Sequence, residues 1–326
     1  MATKKRLLKI EITHKSILFV FFVLIGLWFL AAIKDILLSL FISILIATAV
    51  HPLVKALERY KIPRALSAAL IMILVFFALI SLIASLLPLV VGQVSVFLTR
   101  LPALIERFSW LNLDVSQIAP QLAPISGSLV KFAINTFSAT IFLITTLFIT
   151  YYIIIERDKL DNHLAVLVGD HKATIERIIS DIEIKLGHWV RGELLLMIIV
   201  GLLTYVGLLI IGLDYALPLA IIAGLLEAVP NIGPIVASVP AIIVGFAASP
   251  LLGSLAVLLY IIIQQLENNL IVPQVMRKSI GLHPVVTIVS LLIGFELGGP
   301  LLAVLSLPLV LTVQTILKEI YNAKFS

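Results

Sequence analysis

Two long apolar stretches, residues 215–248 and 285–317, are each interrupted near the middle by glycine and proline, with a glutamate close by. The pieces on either side of each break are shorter than the ~20 residues that an α-helix needs to cross a ~30 Å hydrocarbon core. Irregular backbone at membrane depth is tolerated only where protein buries it or a water-filled cavity meets it, and short interrupted helices are typical of transporter binding sites. The pattern therefore predicts two broken helical hairpins.

The composition of the whole chain is that of a membrane protein. Of its 326 residues, 61% are hydrophobic and 13% are charged, and the mean hydropathy is +1.19. An ordinary soluble domain has about 25% charged residues. The apolar runs are continuous rather than alternating, which excludes an outer-membrane barrel. The predicted fold class is all-α: a polytopic transmembrane helical protein with two Gly/Pro-broken, re-entrant helical hairpins.

Changes of character along the chain divide it into three regions. Residues 1–155 are predicted to form a four-span region with an extracytoplasmic amphipathic lobe at 100–131. In residues 156–191 charges return and isoleucines recur at the spacing of one helix face, which predicts a cytoplasmic amphipathic helical segment. Residues 192–326 form the predicted transport region and contain both broken hairpins.

The distribution of lysine and arginine predicts the orientation of the chain. If both termini are cytoplasmic, most of the 23 basic residues lie on the cytoplasmic side, as the positive-inside rule requires. The exceptions are Lys34, Arg100, Arg107 and Lys131. In this topology the first hairpin enters from outside and the second from the cytoplasm, an inverted arrangement. Two full crossings in place of each hairpin would satisfy the same charge count.

Three carboxylates fall in apolar surroundings and are the first candidates for a functional site. Glu227, Glu267 and Glu296 would each cost several kcal/mol to place in hydrocarbon, so such residues are functional by default. For Glu227 and Glu296 the alternative is a structural role at a hairpin tip, where a carboxylate accepts from freed backbone N–H groups.

A run of amide side chains and the turn of the first hairpin complete the candidate site. The run that ends the sixth span places Gln264 and Asn268 on one helix face beside Glu267, which favours a polar lining over a solvated helix end. Trp189 beside Arg191 fits an anchor at the membrane interface. The candidate binding or coupling residues are Glu227, Pro230, Asn231, Gly233, Pro234, Gln264, Glu267, Asn268 and Glu296.

Signatures of catalysis and of cofactor binding are absent from the sequence. There is no Walker A loop, no His-Glu-x-x-His helix and no Gly-x-Ser-x-Gly elbow, and there is no cysteine. We therefore expect no enzyme activity, no cofactor and no metal site. The positive net charge follows from membrane topology, so no nucleic-acid partner is expected.

Several motifs together resemble the AI-2E (autoinducer-2 exporter) family of bacterial membrane permeases. They are spread over nearly the whole chain: His51-Pro52, Trp189-Val-Arg191-Gly192, Glu227-Ala-Val-Pro230-Asn231-Ile-Gly233-Pro234, Gln264-Gln-Leu-Glu267-Asn268, Gly281-Leu-His-Pro284 and Leu307-Pro308. The chain departs from the family at Glu296, where an uncharged glycine-rich turn is common.

The resemblance implies a multi-pass protein of the bacterial cytoplasmic (inner) membrane, homo-oligomeric, that moves a small solute outward. The first hypothesis is a secondary exporter of a small polar solute such as autoinducer-2, and hence a role in quorum sensing, by alternating access at the hairpin tips. Glu227 would be the coupling group, with H+ or Na+ as the coupling ion. The alternatives are a Na+(Li+)/H+ antiporter and a non-transporting membrane scaffold.

Overall fold

The computed structural model of the chain describes residues 14–84, 136–168, 172–230, 232–276 and 283–325. The predicted lobe at 100–131 and the candidate residue Asn231 fall outside these ranges. Every described element is a helix or a connection between helices, so the predicted all-α class is confirmed. Six helices in the described part of the chain are long and apolar enough to cross a membrane, which confirms a polytopic membrane protein.

The helices follow the chain in an order close to the one predicted. A π-helical turn, Glu267–Ile271, joins α8 to the short α9 without a break in the helix. The helices are α1 His14–Ala32, α2 Lys34–Arg59, α3 Arg64–Ala84, α4 Thr136–Val168, α5 Lys172–Ile211, α6 Ala216–Leu226, α7 Ile232–Ala248, α8 Pro250–Leu266, α9 Val272–Val275 and α10 Pro284–Phe325.

Helices α2, α3 and α4 pack together around one apolar core that includes Val54, Ala68 and Leu147. A row of hydroxyl groups runs along the contact between α2 and α4. Ser43 Oγ donates to the carbonyl oxygen of Thr146 at 2.9 Å, on an interface where the side chains are fully buried. Hydrogen bonds of this kind help to hold helices together in a membrane, where lipid is as apolar as the helix surface.

Helix α5 is the central element of the fold. Its 40 residues span about 60 Å, twice the hydrocarbon thickness, because residues 172–191 of the predicted amphipathic segment and the predicted fifth span form one uninterrupted helix. The first part of that segment, 156–168, belongs to α4. Near its start, Arg157 Nε on α4 donates to Glu183 Oε1 at 2.7 Å. Farther along, α5 packs against α6, α8 and α10, so both broken segments meet this helix.

The first hairpin consists of α6 and α7, with a turn that begins at residues 227–230. Its arms pack against each other and against α5 and α8, around an apolar core that includes Ala223, Ala237 and Ala241. The chain can turn this tightly because Gly233 has no side chain: a Cβ there would collide with the carbonyl oxygen of Leu226. The predicted break is therefore present, at the predicted residues.

The second hairpin lies within α10, which folds back on itself at Gly298-Gly299. Gly299 has a φ of 70°, a left-handed conformation that favours glycine. A Cβ on Gly294 would collide with the carbonyl oxygen of Leu302, although residues eight apart in a straight helix are separated by about 12 Å. The two arms thus run side by side, and this break also lies where the sequence predicted it.

The two hairpins approach α5 from opposite ends. In the first, Leu219 shares a core with Leu208, and a Cβ on Gly224, nearer the turn, would lie 2.8 Å from the carbonyl oxygen of Met197. In the second, Lys185 Nζ near the start of α5 donates to Thr315 Oγ1 at 3.1 Å. Ala303 and Leu307, which are nearer the bend, share a core with Leu196, which lies farther along α5. The tips therefore point toward each other along α5.

Candidate functional site

Glu227 closes α6 at the tip of the first hairpin. The residue caps the C-terminus of the helix, and its backbone N–H donates to the carbonyl oxygen of Ala223 at 3.1 Å. Pro230 follows at the turn, where a residue that lacks an N–H cannot continue the helix. The Glu227 side chain is nevertheless turned into the protein, and it is one of the largest fully buried side chains in the described part of the chain.

Glu267 lies opposite Glu227, at the first position of the π-helical turn. Such turns insert one extra residue into a helix and are frequent at functional sites. The carboxyl groups of Glu227 and Glu267 lie within hydrogen-bonding reach of each other. Because a carboxylate can only accept, this contact requires that one of the two carries a proton.

A third carboxyl group, Glu193, completes the site, and the sequence analysis did not single it out. It projects from the middle of α5 and interacts electrostatically with both Glu227 and Glu267. The exposed fractions of Glu193, Glu227 and Glu267 are 5%, 1% and 2%. We call these three residues the carboxyl cluster. It joins the central helix, the tip of the first hairpin and the π-helical turn.

Several polar atoms of the cluster have no hydrogen-bond partner among the described residues. Both carboxyl oxygens of Glu193 are in this condition, as is one oxygen each of Glu227 and Glu267. Unpaired buried charge is very unfavourable, so this arrangement is stable only if protons or ligand groups neutralise the carboxylates.

The remaining candidates from the sequence lie around the cluster at different depths. Gln264 is half-buried and its side-chain amide reaches the Glu267 carboxyl group, while it also donates to Asn268 Oδ1 at 3.4 Å. Asn268 is exposed, so only part of this polar run faces the protein. Gly233 and Pro234 are buried in the first turn of α7 and Pro230 is half-buried, which gives them a role in shaping the tip.

Glu296 does not join the carboxyl cluster. It lies two residues before the bend of the second hairpin, and its side chain is exposed, as are its neighbours Phe295 and Leu297. The two hairpin glutamates, which look alike in the sequence, thus occupy different environments.

The predicted interface anchor at Trp189 and Arg191 is wrong. Trp189 is 3% exposed and packs in an apolar core with Met276 and Leu291. Arg191 points the other way and donates to the carbonyl oxygens of Thr48 and Ala49 on α2, at 3.1 and 3.2 Å. The reason is local: Pro52 has no N–H to donate to the carbonyl of Thr48 four residues earlier, so the arginine satisfies that acceptor instead.

Two more buried hydroxyl groups without partners in the described residues lie farther along the same helices. Thr204 is on α5 and Tyr260 on α8, and neither Thr204 Oγ1 nor Tyr260 Oη is hydrogen-bonded. The helices run antiparallel, since Gly192 packs against Met276 and Gly207 against Leu259. Thr204 lies about 16 Å beyond Glu193, and Tyr260 about 10 Å before Glu267, so these polar groups extend from the cluster toward one end of the α5–α8 contact.

Comparison with known proteins agrees with this architecture. The family model described as AI-2E family transporter matches residues 17–322. The chain belongs to the AI-2E transporter family. It is 33% identical to the candidate transport protein YueF of Bacillus subtilis (strain 168) over 308 residues, which cover 85% of this chain and 83% of that protein.

Other relatives have lower identity but are matched over a similar length. The AI-2 transport protein TqsA of Escherichia coli (strain K12) is 26% identical, over 87% of this chain and 86% of TqsA. The candidate transport protein YrrI of Bacillus subtilis is also 26% identical, over 89% and 88%. Family membership, together with the six apolar helices in the described part of the chain, identifies it as a permease-type bacterial membrane transport protein.

Proposed function

We propose that this AI-2E family member is a proton-coupled secondary exporter of a small polar solute, with autoinducer-2 or a similar molecule as its cargo. The observation that carries the proposal is the contact between Glu227 and Glu267, two buried carboxyl groups that require a proton between them. Glu227 is placed on a hairpin tip and Glu267 on a π-helical turn, and a change in either element would separate them.

Separation of the pair provides a physical basis for coupling. While the carboxyl groups face each other, one proton stabilises both; once they part, each must find water or a new partner. Movement of the first hairpin relative to α8 therefore changes the affinity of the site for a proton. A ligand shifts the equilibrium between the paired and the separated state only if it binds the two states with different affinity. A proton shared by the two carboxyl groups does so, because it favours the paired state.

A proton is favoured over sodium as the coupling ion. In the described part of the chain, no three acidic or histidine side chains converge closely enough to hold a metal ion. A proton shared by the two carboxyl groups satisfies the Glu227–Glu267 contact directly. A Na+(Li+)/H+ antiporter is the alternative outcome of the test.

The proposed route for a polar solute follows the buried polar groups of α5 and α8. It begins at the carboxyl cluster and continues toward Thr204 and Tyr260. TqsA is described as an AI-2 transport protein, and this makes autoinducer-2 the first molecule to test. We further propose that the protein works as a homo-oligomer in the bacterial inner membrane, with both termini in the cytoplasm.

Transport by liposomes that hold the purified full-length protein tests the proposal. Liposomes that contain the protein and are loaded with autoinducer-2 should release it faster than protein-free liposomes with the same load. An imposed pH gradient should accelerate the release. No release, together with a sodium-dependent collapse of the pH gradient, would replace the exporter by an antiporter. Absence of both activities would favour a non-transporting scaffold.

A further inference from the structure

An apolar groove runs along the contact between α3 and α4, away from the carboxyl cluster. Its volume of about 380 Å³ falls in the ~300–1,000 Å³ range of small-molecule sites. The buried residues Met72 and Leu147 line the groove from inside the bundle, whereas Ile73, Ile144 and Phe148 are exposed. The groove therefore opens on the outer surface of the helix bundle.

The shape and lining of the groove select an apolar chain as its occupant. Its lining residues extend from Ala69 to Phe76 on α3 and from Ile144 to Tyr151 on α4, about 10 Å along each helix. All of them are aliphatic or aromatic, and the Tyr151 hydroxyl is their one polar side-chain group apart from a thioether. Both helices are long and apolar enough to cross a membrane, so a hydrocarbon chain can reach this groove from the bilayer.

One end of the groove adjoins a group of basic side chains. Ala69 follows Arg64 by five residues, about 7.5 Å along α3, and Tyr151 precedes Arg157 by six residues, about 9 Å along α4. His51 on α2 lies within electrostatic range of both arginines. The ends of α2, α3 and α4 that carry these residues thus lie together, next to the same end of the groove.

This end of the bundle has an excess of positive charge. The connection from α2 to α3 contains four basic side chains and one acidic side chain, namely Lys55, Arg59, Lys61, Arg64 and Glu58. Arg64 Nε lies 3.8 Å from Glu58 Oε1, and Arg157 Nε donates to Glu183 on α5. Lys55 is exposed and lies within electrostatic range of His51. We call His51, Lys55, Arg64 and Arg157 the basic cluster.

Tyrosine side chains lie between the groove and the basic cluster. Tyr151 lines the groove at this end, and Tyr152 beside it is exposed and contacts the Phe148 ring at 4.9 Å between centroids. Tyrosine is enriched at the headgroup level of membranes, where its ring is in apolar surroundings and its hydroxyl is in water. Groove, tyrosines and basic cluster thus follow the order of acyl chains, interface and headgroups in a lipid layer.

We propose that the groove and the basic cluster form a binding site for one anionic phospholipid, with an acyl chain in the groove and the phosphate beside Lys55 and Arg64. Basic pockets between membrane helices bind anionic headgroups in this way, and Arg and Lys form charge-assisted hydrogen bonds to phosphate. Because Arg157 of the basic cluster also bonds Glu183, a bound lipid stabilises the contact of α2–α4 with the central helix. The proposal does not depend on the transport function.

An anionic lipid suits this site better than a second copy of the chain. Copies of one membrane protein are inserted in the same orientation, so the basic end of a second copy would lie at the same level and repel this one. A zwitterionic lipid would fill the groove but would not balance the excess of positive charge.

Photocrosslinking to the unmodified full-length protein in liposomes tests the position of the lipid. Phosphatidylglycerol and phosphatidylcholine, each with the same photoactivatable acyl chain, are compared at equal mole fraction. Phosphatidylglycerol should give a several-fold higher yield in peptides that contain 69–76 and 144–151. The matched control is the stretch 202–210 of α5, with exposed apolar residues in a part of the chain, 192–276, that has no lysine or arginine. There the two lipids should react equally, and equal yields at the groove as well would overturn the proposal.

Charge removal tests the headgroup contact. K55Q/R64Q should weaken the binding of phosphatidylglycerol by about 5-fold for each charge removed, because each basic residue near a membrane surface contributes about that factor. Binding of phosphatidylcholine should not change. K34Q is the control, since Lys34 is exposed at the opposite end of α2. Native mass spectrometry of detergent-solubilised protein titrated with each lipid measures the affinities, and equal losses in K55Q/R64Q and K34Q would contradict the site.

A groove-filling substitution tests the chain contact. A69F places a ring in the groove and should weaken the binding of both lipids, whereas A78F adds the same ring at an exposed position of α3 outside the groove and should not. If A69F leaves lipid binding unchanged but converts an oligomer to monomers, the groove holds a second copy and the proposal fails. The crosslinking measurement needs no substitution, so it decides alone if a variant does not fold.

Discussion

The two hairpins are built from similar sequence but have different surroundings. Each is an apolar segment broken by glycine and proline next to a glutamate. In the first hairpin the tip is enclosed by α5 and α8, and Glu227 is buried against another carboxyl group. In the second hairpin the tip is exposed: Leu297, next to the bend, is 76% accessible, and Glu296 beside it is exposed as well.

The difference shows that the neighbours of a tip, rather than the tip sequence, decide its chemistry. The first hairpin lies between two helices that each contribute a glutamate, Glu193 from α5 and Glu267 after α8. The second hairpin presents its buried side, with Leu291, Ala303 and Leu307, to an apolar core around Trp189. We therefore assign proton binding to the first hairpin, and to the second a packing role that includes one wall of the Trp189 core.

The largest expected effect comes from removal of the carboxyl group at the first tip, and the same change at the second tip is its control. E227Q retains the size of the side chain but cannot take up or release a proton, so pH-driven efflux of autoinducer-2 should fall by at least about 10-fold. This corresponds to the loss of about 1.4 kcal/mol or more of coupling free energy. E296Q should leave the same flux unchanged, because the Glu296 side chain is exposed and outside the carboxyl cluster. Flux from liposomes with and without a pH gradient measures both.

Partner substitution sharpens this result. E267Q should cause a similar loss, and the E227Q/E267Q double variant should lose little more than either single variant, because the two residues act as one unit. Equal sensitivity of E227Q and E296Q would remove the distinction between the hairpins. Full pH-driven flux in E227Q would show that the pair is structural.

The second effect concerns stability at the buried tip. A Cβ at Gly233 would meet the backbone carbonyl of Leu226, and backbone cannot rotate away as a side chain could. G233A should lower the free energy of unfolding by about 1–3 kcal/mol, the usual cost of overpacking. The matched control is G26A on α1, where a Cβ would have no neighbour within 4 Å, so its effect should be small. Denaturation in detergent compares the two, and equal stability would show that the first tip is loosely packed.

The sequence predicted the positions of the breaks but not the composition of the site. Pro230, Gly233, Gly298 and Gly299 act locally, through the backbone conformations and contacts that their own residue types allow, and local effects can be recognised in a sequence. Glu193 was missed because it follows Arg191 in an unbroken helix and resembles an interfacial charge. Its surroundings come from parts of the chain that are 34 or more residues away, and they include Glu227 and Glu267.

A signal for Glu193 was nevertheless present in the spacing. Trp189, Glu193, Leu196 and Val200 follow each other at i, i+4, i+7 and i+11, which places the glutamate on the same face as three apolar residues. The structure buries all four. The opposite environments of Glu227 and Glu296 had no such signal, because both tips have the same local chemistry and differ only in what packs against them.

The smallest expected effect concerns the exposed tip. At Gly299 the φ of 70° is unfavourable for any residue with a Cβ, but no atom lies within 4 Å of the position where that Cβ would be. G299A should therefore cost only the backbone strain, about 1–2 kcal/mol, and less if the bend relaxes. Efflux should persist in folded G299A protein, since the carboxyl cluster is unchanged. A loss of pH-driven flux as large as that of E227Q, in protein with normal stability, would mean that the second tip takes part directly in transport and that the two hairpins share the coupling role.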